Sequence, residues 1–248
     1  MDSEKGYCFA RSGDQGVATA SFPSLRENQS GSFPRDLIDE VWRPSIILDG
    51  VQKRGLYPLA KRLFDIIGAT IGLAGFVLLL PLIALAIKLD SPGPIFYRQV
   101  RVGTGGRPLV IRKLRTMVAD AEKEEGLWSN HNDPRVNRVG RWLRKTRLDE
   151  APQCWNILKG EMSIIGPRPE RLTVVEKLEK EFPLYHLRHR VKPGLAGWAM
   201  VNRGHMCGLE DAKVRLDCDL YYVQHQSLWF DALIFLQASW HLITMRGI

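Results

Sequence analysis

The sequence lacks most of the devices by which a chain of this size advertises a cofactor or a nucleophile. Its four cysteines, Cys8, Cys154, Cys207 and Cys218, form no paired spacing and no Cys-x-x-Cys motif. That excludes a dithiol redox motif or a zinc ribbon and suits a reducing compartment. Its six histidines make no metal-ligand pattern, and His186 and His189, three apart in a basic stretch, read as a helix surface. No serine or cysteine has a recognisable nucleophile signature. The cluster Gly103-Thr-Gly-Gly106 lacks the following Gly-Lys-Ser/Thr of a phosphate loop, so it reads as a turn between strands. There are no internal repeats. The first 40 residues hold no apolar core long enough for a signal peptide, so the N-terminus is expected to stay in the cytoplasm. Residues 1–58 are polar and aperiodic and are expected to form a disordered arm.

Positive charge is in surplus. Of a formal net charge of +8, the first 58 residues carry −1 and the remaining 190 carry +9. A surplus of that size implies an anionic partner, whether phospholipid headgroups, a nucleotide-like substrate or nucleic acid.

Charge disappears from Ile66 to Ile87, a run of 22 residues between Lys61, Arg62 and Asp65 on one side and Lys88 on the other. The length fits a membrane element, because few soluble core helices are apolar on every face over such a distance. Basic residues flank both ends, so both are expected on the cytoplasmic side. Pro81 removes an amide donor, and the run from Ile66 to Leu80 reaches only about 22 Å, short of a roughly 30 Å hydrocarbon core. The expectation is a re-entrant membrane helix over residues 59–90, broken at Pro81, with a plain kinked span as the alternative. Near the C-terminus, Trp229, Phe230, Leu233, Ile234, Leu236, Trp240 and Ile243 accompany only Asp231 and Arg246 as full charges. That composition suggests an interfacial amphipathic helix, the alternative being a core helix of the globular domain.

Residues 91–248 read as one cytoplasmic domain of α/β class, mostly helical with a small β-hairpin. The hairpin is expected from residues 94–103 and 107–117 about the glycine turn, with Lys113 and Arg115 on one face. A helix follows, with an apolar stripe of Val136, Val139, Trp142 and Leu143 among Arg138, Arg141, Arg144, Lys145 and Arg147. Asp149 and Glu150 come next, and Pro152 is tolerated in the first turn of a helix ending at Lys159-Gly160. Asp149 is either an ordinary N-cap or a carboxylate held ionised beside arginines, where an incoming phosphate would meet the same positive end. Glu150, about 100° away on a helix, is free to hold a metal ion. In Gly166-Pro-Arg-Pro169 the prolines restrict the backbone on both sides of Arg168, presenting a guanidinium suited to phosphate, with a buried salt bridge as the alternative. The stretch from Val191 to Asn202 is glycine-punctuated and would allow a ligand close to the backbone, followed by Arg203 and His205.

Taken in order, these pieces resemble the bacterial sugar transferase family, the monotopic polyprenyl-phosphate phosphoglycosyl transferases that initiate exopolysaccharide or O-antigen assembly. The matching stretches are KRLFD at 61–65, FYRQVRVG at 96–103, KLRTM at 113–117, NDPRVNRVGRWLRKTRLDEAPQ at 132–153, NILKGEMSIIGPRPE at 156–170, KPGLAGWAMVN at 192–202 and DLYYV at 219–223. The resemblance implies transfer of a sugar 1-phosphate from a UDP-sugar to undecaprenyl phosphate, releasing UMP, at the cytoplasmic face of a bacterial inner membrane. It implies Mg2+, Asp149 as the nucleophile that takes up the phosphosugar, and Glu150 as a metal ligand. Lys113, Arg144, Arg168 and Asp219 match polar positions expected to line the phosphate and nucleotide sites, with Arg115 a weaker candidate. Membrane lipids are partners and nucleic acid is not; a homodimer is compatible with the sequence, and glucose or galactose is the guessed sugar. The chain departs from the family in having Leu80-Pro81 where Ser-Pro is usual, Lys192-Pro-Gly for Arg-Pro-Gly, and Met200-Val-Asn-Arg-Gly204 for Gln-Val-Asn-Gly-Arg. It is also expected to lack the multi-span N-terminal half of long relatives. Two other readings stay open at this point: a membrane-anchored, metal-dependent glycosyltransferase releasing UDP, and a non-enzymatic basic module for lipid or nucleic acid.

Overall fold

The computed structural model describes residues 55–118, 133–203 and 208–244. The arm expected over residues 1–58 lies outside the described residues as far as position 54, as do His205 and the Arg203 side chain.

Helix α1 (Tyr57–Asp90) contains the long apolar run, with Pro58 in its first turn and Lys88 in its last. Proline is tolerated at the start because the first helical amides have no acceptor in the helix. Pro81 lies inside this single helical element rather than at a gap between two. Among the described residues α1 is the one helix long and apolar enough to cross a membrane. Its buried positions, Asp65, Ala69, Phe76, Ile83 and Ile87, fall within about 40° of one another at roughly 100° per residue, so a narrow stripe faces the protein along its length. Leu59, Leu63, Ile71, Leu78, Leu82 and Leu85 point outward. A face that apolar and that long calls for an apolar partner.

The polar start of α1 is bound to the domain instead of to solvent. Lys61 donates to Asp231 Oδ2 at 2.8 Å and to the Ile165 carbonyl at 3.1 Å. Arg62 donates to the carbonyls of Ile157 and Leu158, and Asp65 Oδ1 accepts from Ser163 Oγ and the Ile164 amide. The cations that flank the apolar run are thus docking groups as well as flanking charges.

Strands β1 (Phe96–Val102) and β2 (Pro108–Leu114) form the expected antiparallel hairpin, with Val100 opposite Val110. Gly105 and Gly106 turn it at positive φ, the region that glycine enters at least cost. Helix α2 (Arg138–Lys145) is capped by the Asn137 side chain, which accepts from the Gly140 amide. Gly140 rests on the Thr116 carbonyl, where a Cβ would collide, and this brings α2 against the end of β2. Leu143 is buried, but Trp142 is exposed, so the apolar stripe of α2 is narrower than its sequence suggested. A 3-10 turn, Leu148–Gln153, leads to α3 (Cys154–Lys159), which ends at a left-handed Gly160.

Strand β3 (Ser163–Ile165) pairs in parallel with β4 (Gly194–Ala196). Between them lie α4 (Leu172–Glu181) and a 3-10 turn, Tyr185–Arg190; after them come α5 (Trp198–Arg203), α6 (Leu209–His225) and α7 (Leu228–Ile243). Among the described residues the fold is therefore mostly helical, with two small two-stranded sheets. Helix α7 buries Phe230, Asp231 and Ile234, exposes Trp229, Leu236 and Trp240, and meets α1 through an edge-on contact of Phe235 with Phe64 at 5.4 Å.

Apolar packing is divided by the polar site. One cluster joins Val102, Val174, Leu178, Leu187 and Leu216. Two others lie along α1: Ala69 with Ile111, Ile157 and Met162, and Phe76, Ile83 and Ile87 with Leu114 and Leu143. Leu148 and Ala151, from the turn that carries Asp149 and Glu150, pack on the last of these, so the carboxylate turn is seated directly on the apolar helix.

Candidate active site

The carboxylates sit in the tight turn between α2 and α3. Its first cap, Arg147, adopts left-handed backbone at φ 57°, the one non-glycine residue to do so among those described, and it redirects the chain immediately before Leu148. Asp149 is within the turn, and the residues that cap the turn and α3 are Arg147 and Gln153, neither with a side-chain cap bond. The N-cap alternative for Asp149 therefore has no support in the geometry.

Glu150 is the hub of a cation cage. Its Oε1 accepts from Lys113 Nζ at 2.6 Å and from Arg168 Nη2 at 2.8 Å, and Arg147 Nη1 stands 3.9 Å from Oε2. Burial by itself would raise the pKa of this carboxyl, but Arg168, Lys113 and Arg147 outweigh it and hold Glu150 well below the usual carboxylate range. The charge of Glu150 in turn holds Arg168 firmly protonated.

Asp149, one residue away, is in the opposite condition. It is only 8% exposed, and its Oδ1 is buried with no hydrogen-bond partner among the described residues. Burial and the adjacent Glu150 charge push its carboxyl up to about 6, against the pull of Lys113, Arg144 and Arg147. The two carboxylates share one field, Glu150 losing its proton first and Asp149 last. An unpartnered carboxylate oxygen next to a set of cations is able to act as a nucleophile or to take a cation.

Arg144 completes the near side, its Nε donating to Thr116 Oγ1 at 2.9 Å. Lys113, Arg144, Asp149, Glu150 and Arg168 thus converge. Arg115 does not join them. It lies past the end of β2 and donates to the carbonyls of Ser91 and Pro92, fastening the turn after α1; alternation fails here because the strand ends at Leu114. Asp219 is buried behind the site, its Oδ2 taken by Arg188 at 2.6 and 2.9 Å.

The glycine-punctuated stretch has a different use from the one its pattern suggested. Gly194 and Gly197 press on the backbone of Gly166, where any Cβ would collide, so the close approach is made by the loop carrying Arg168 and not by a ligand. The stretch around His186 and His189 is not a helix surface either: Arg188 and His189 are buried in a 3-10 turn, and burial with the Arg188 charge drives His189 down to about 3. Sequence reasoning missed Glu170 within the loop and the arginines that brace it, Arg101 from β1, Arg188 from the 3-10 turn and Arg215 from α6; Arg101 and Arg215 both reach Glu170. Only the adjacency of Glu170 to Arg168 hinted at them.

Among the described residues no three His, Cys, Asp or Glu side chains cluster as a metal site. Of the two carboxylates, Asp149 has the free oxygen that a divalent cation could take, whereas Glu150 would have to release one of its cations to become a ligand.

The chain is 42% identical over 192 residues, 77% of its length, to a UDP-N-acetylgalactosamine-undecaprenyl-phosphate N-acetylgalactosaminephosphotransferase of Aeromonas hydrophila, of which the match covers 45%. It is 42% identical over 193 residues to a UDP-glucose:undecaprenyl-phosphate glucose-1-phosphate transferase of Escherichia coli (strain K12), covering 77% of this chain and 42% of that protein. It is also 42% identical over 188 residues to a protein of the same description from Caulobacter vibrioides, covering 75% of this chain and 70% of that one. The chain spans less than half the length of the first two relatives. The model of the family described as Bacterial sugar transferase matches residues 56–245, from the start of α1 past the end of α7, and the chain belongs to that family.

Proposed function

We propose that the protein transfers a hexose 1-phosphate from a UDP-hexose to undecaprenyl phosphate, releasing UMP, as the first membrane step of exopolysaccharide or related glycan synthesis. The observation that carries this reading is the unpartnered Asp149 oxygen beside a cation cage on a turn packed against α1. A carboxylate is a feasible nucleophile towards a dianionic diphosphate only if fixed cations offset the repulsion, and Lys113, Arg144, Arg147 and Arg168 are placed to do so. In the first step an Asp149 oxygen bonds to the sugar-bearing phosphorus, and the bond from that phosphorus to the bridging oxygen breaks, so that UMP leaves. In the second an oxygen of the lipid phosphate bonds to the same phosphorus and the Asp149 acyl-phosphate bond breaks, giving the lipid diphosphate sugar. Mg2+, for which Glu150 would exchange one of its cations and leave the open Asp149 oxygen to attack, would neutralise diphosphate charge.

The acceptor is a lipid, and the chain is suited to meet it. The outward faces of α1 and α7 present a largely apolar surface with Trp229 and Trp240 exposed, as expected of groups at a membrane boundary. Both ends of α1 are bound to the same domain, through Lys61 and Arg62 at one end and through Asp90, which accepts from the Val139 amide, at the other. This supports a helix that enters and leaves by the cytoplasmic face of the inner membrane. Labelling Gly55→Cys and Gly105→Cys variants in sealed vesicles checks it: both should react from the cytoplasmic side, and reaction from opposite sides would establish a span.

The activity test supplies UDP-glucose, UDP-galactose or UDP-N-acetylgalactosamine with Mg2+ and undecaprenyl phosphate to the detergent-solubilised chain. UMP is the expected product. Release of UDP instead would establish sugar transfer without phosphate, and no product from any donor would overturn both enzymatic readings.

A further inference from the structure

Arg168 is presented by a loop whose backbone is gripped at every residue. The Gly166 amide donates to the Ala196 carbonyl at 2.8 Å, and the Pro167 carbonyl accepts from the Gly194 amide at 2.9 Å. The Pro169 carbonyl accepts from Arg101 Nη1 at 3.2 Å, and the Glu170 carbonyl from the Val102 amide at 2.9 Å. The carbonyl of Arg168 itself is held by a buried side chain, accepting from Arg188 Nη2 at 2.9 Å.

Arg188 is built into its place from three sides. Its Nε and Nη2 both donate to Asp219 Oδ2, its Nη1 donates to Tyr185 Oη at 3.0 Å, and its guanidinium lies over the Tyr185 ring at 5.0 Å. The side chain is 1% exposed and that of Asp219 is 2% exposed. A buried ion pair contributes little net stability over apolar side chains of the same volume, so the pair alone does not account for a guanidinium here. What distinguishes arginine from lysine or an apolar residue is the fork, which satisfies Asp219 and Tyr185 and still aims one N–H at a backbone carbonyl.

We propose that Arg188, locked by Asp219 and Tyr185, is a positioning residue that fixes the Arg168 carbonyl and thereby holds the Arg168 guanidinium on Glu150 and at the phosphate. Asp219 then acts through Arg188 and Arg168 rather than by touching the nucleotide. The proposal rests on the phosphoglycosyl transfer reading for its kinetic arm and on geometry alone for its binding arm.

The test is a double-mutant cycle between Arg188→Lys and Arg168→Lys in the full chain. Arg188→Lys keeps the charge opposite Asp219 and loses the fork. It should lower kcat by roughly 10- to 100-fold with a smaller change in KM, the loss expected when a phosphate-binding group is displaced by about 1 Å. The double variant should fall no more than about 3-fold below Arg168→Lys, because both substitutions remove one and the same function. Multiplicative losses, or Arg188→Lys within about 3-fold of the unsubstituted chain, would overturn the proposal. Should Arg188→Lys fail to fold, Tyr185→Phe, which deletes one hydroxyl, replaces it in the cycle with the same criterion. The cycle is repeated in the Kd for UDP by calorimetry, which needs no turnover. An inactive chain with a non-additive UDP cycle would overturn the catalytic reading and keep the positioning one; an active chain with an additive cycle would do the reverse. A chain that neither turns over nor binds UDP overturns both.

Discussion

Two buried aspartates divide the molecule into a part that is finished and a part that is waiting. Asp231, on α7, accepts from Tyr222 at Oδ1 and from Tyr57 and Lys61 at Oδ2, so both oxygens are satisfied within the protein and three elements are fastened together. Asp149 is nearly as buried, yet its Oδ1 has no partner among the described residues. Burial is common to both; satisfaction separates them. A carboxylate whose hydrogen bonds are complete acts as a rivet, and one left with an open oxygen carries a desolvation cost that the proposed chemistry would explain.

Neutralising each carboxylate should separate the two most strongly. Asp149→Asn should lower UMP release by at least about 10³-fold, since an amide is a poor nucleophile, while leaving the fold intact. It should also raise the thermal midpoint at pH 7, because it removes a charge that burial and Glu150 disfavour. A rate near that of the unsubstituted chain would make Asp149 a mere polar residue in a turn. Asp231→Asn should show the opposite pattern, with the turnover of folded molecules preserved. Removing one partner of the buried pair with Lys61 should cost about 3 kcal/mol of stability, a fall of at least about 6 °C in midpoint for a domain of this size. Loss of turnover without loss of stability would remove the distinction between the two sites.

How much of this could be read beforehand depended on the range of the interaction. The charge-free run of α1, the hairpin, the Gly160 stop and the pairing of Asp149 with Glu150 follow from local pattern, and all but the carboxylates' roles needed no neighbours. The contacts of Arg115 and Asp219 were hidden for the same reason: strand alternation does not extend past Leu114, and nothing local announces that Arg188 occupies the Asp219 carboxylate. The glycines of residues 191–197 were legible as a site of close approach, but the identity of the approaching backbone, Gly166, is a long-range fact. Lys61 and Arg62 were legible as flanking charges, and their engagement with Asp231 and the α3 carbonyls was not.

Glu150 resembles Asp231 in being fully engaged but lies beside the open oxygen. Glu150→Gln would leave Lys113 and Arg168 without their shared counter-charge and let both drift from the phosphate site. Turnover should fall by about 10²-fold, as when a fixed electrostatic contact to a transition state is lost. A loss of stability with unchanged kcat would assign Glu150 to the same structural class as Asp231.

The smallest effect is the most diagnostic, because it reads the open oxygen directly. Asp149 must be ionised to attack, so the rate should fall at acid pH, with the limb at or below about 6 because a nearby Mg2+ favours the ionised form. The measurement is the UMP burst with a UDP-hexose and no acceptor, which keeps titration of the lipid phosphate out of the profile. Stability should run the other way. The folded value of Asp149 lies above its unfolded one, so between the two the native state binds the extra proton, and this residue's contribution to stability is lost as pH rises through about 6. In Glu150→Gln the acid limb of the residual burst should move to lower pH, since the neighbouring negative charge that raises Asp149 is gone. A limb that stays in place would show that burial alone sets the Asp149 value and that the adjacent carboxylates do not act as a pair.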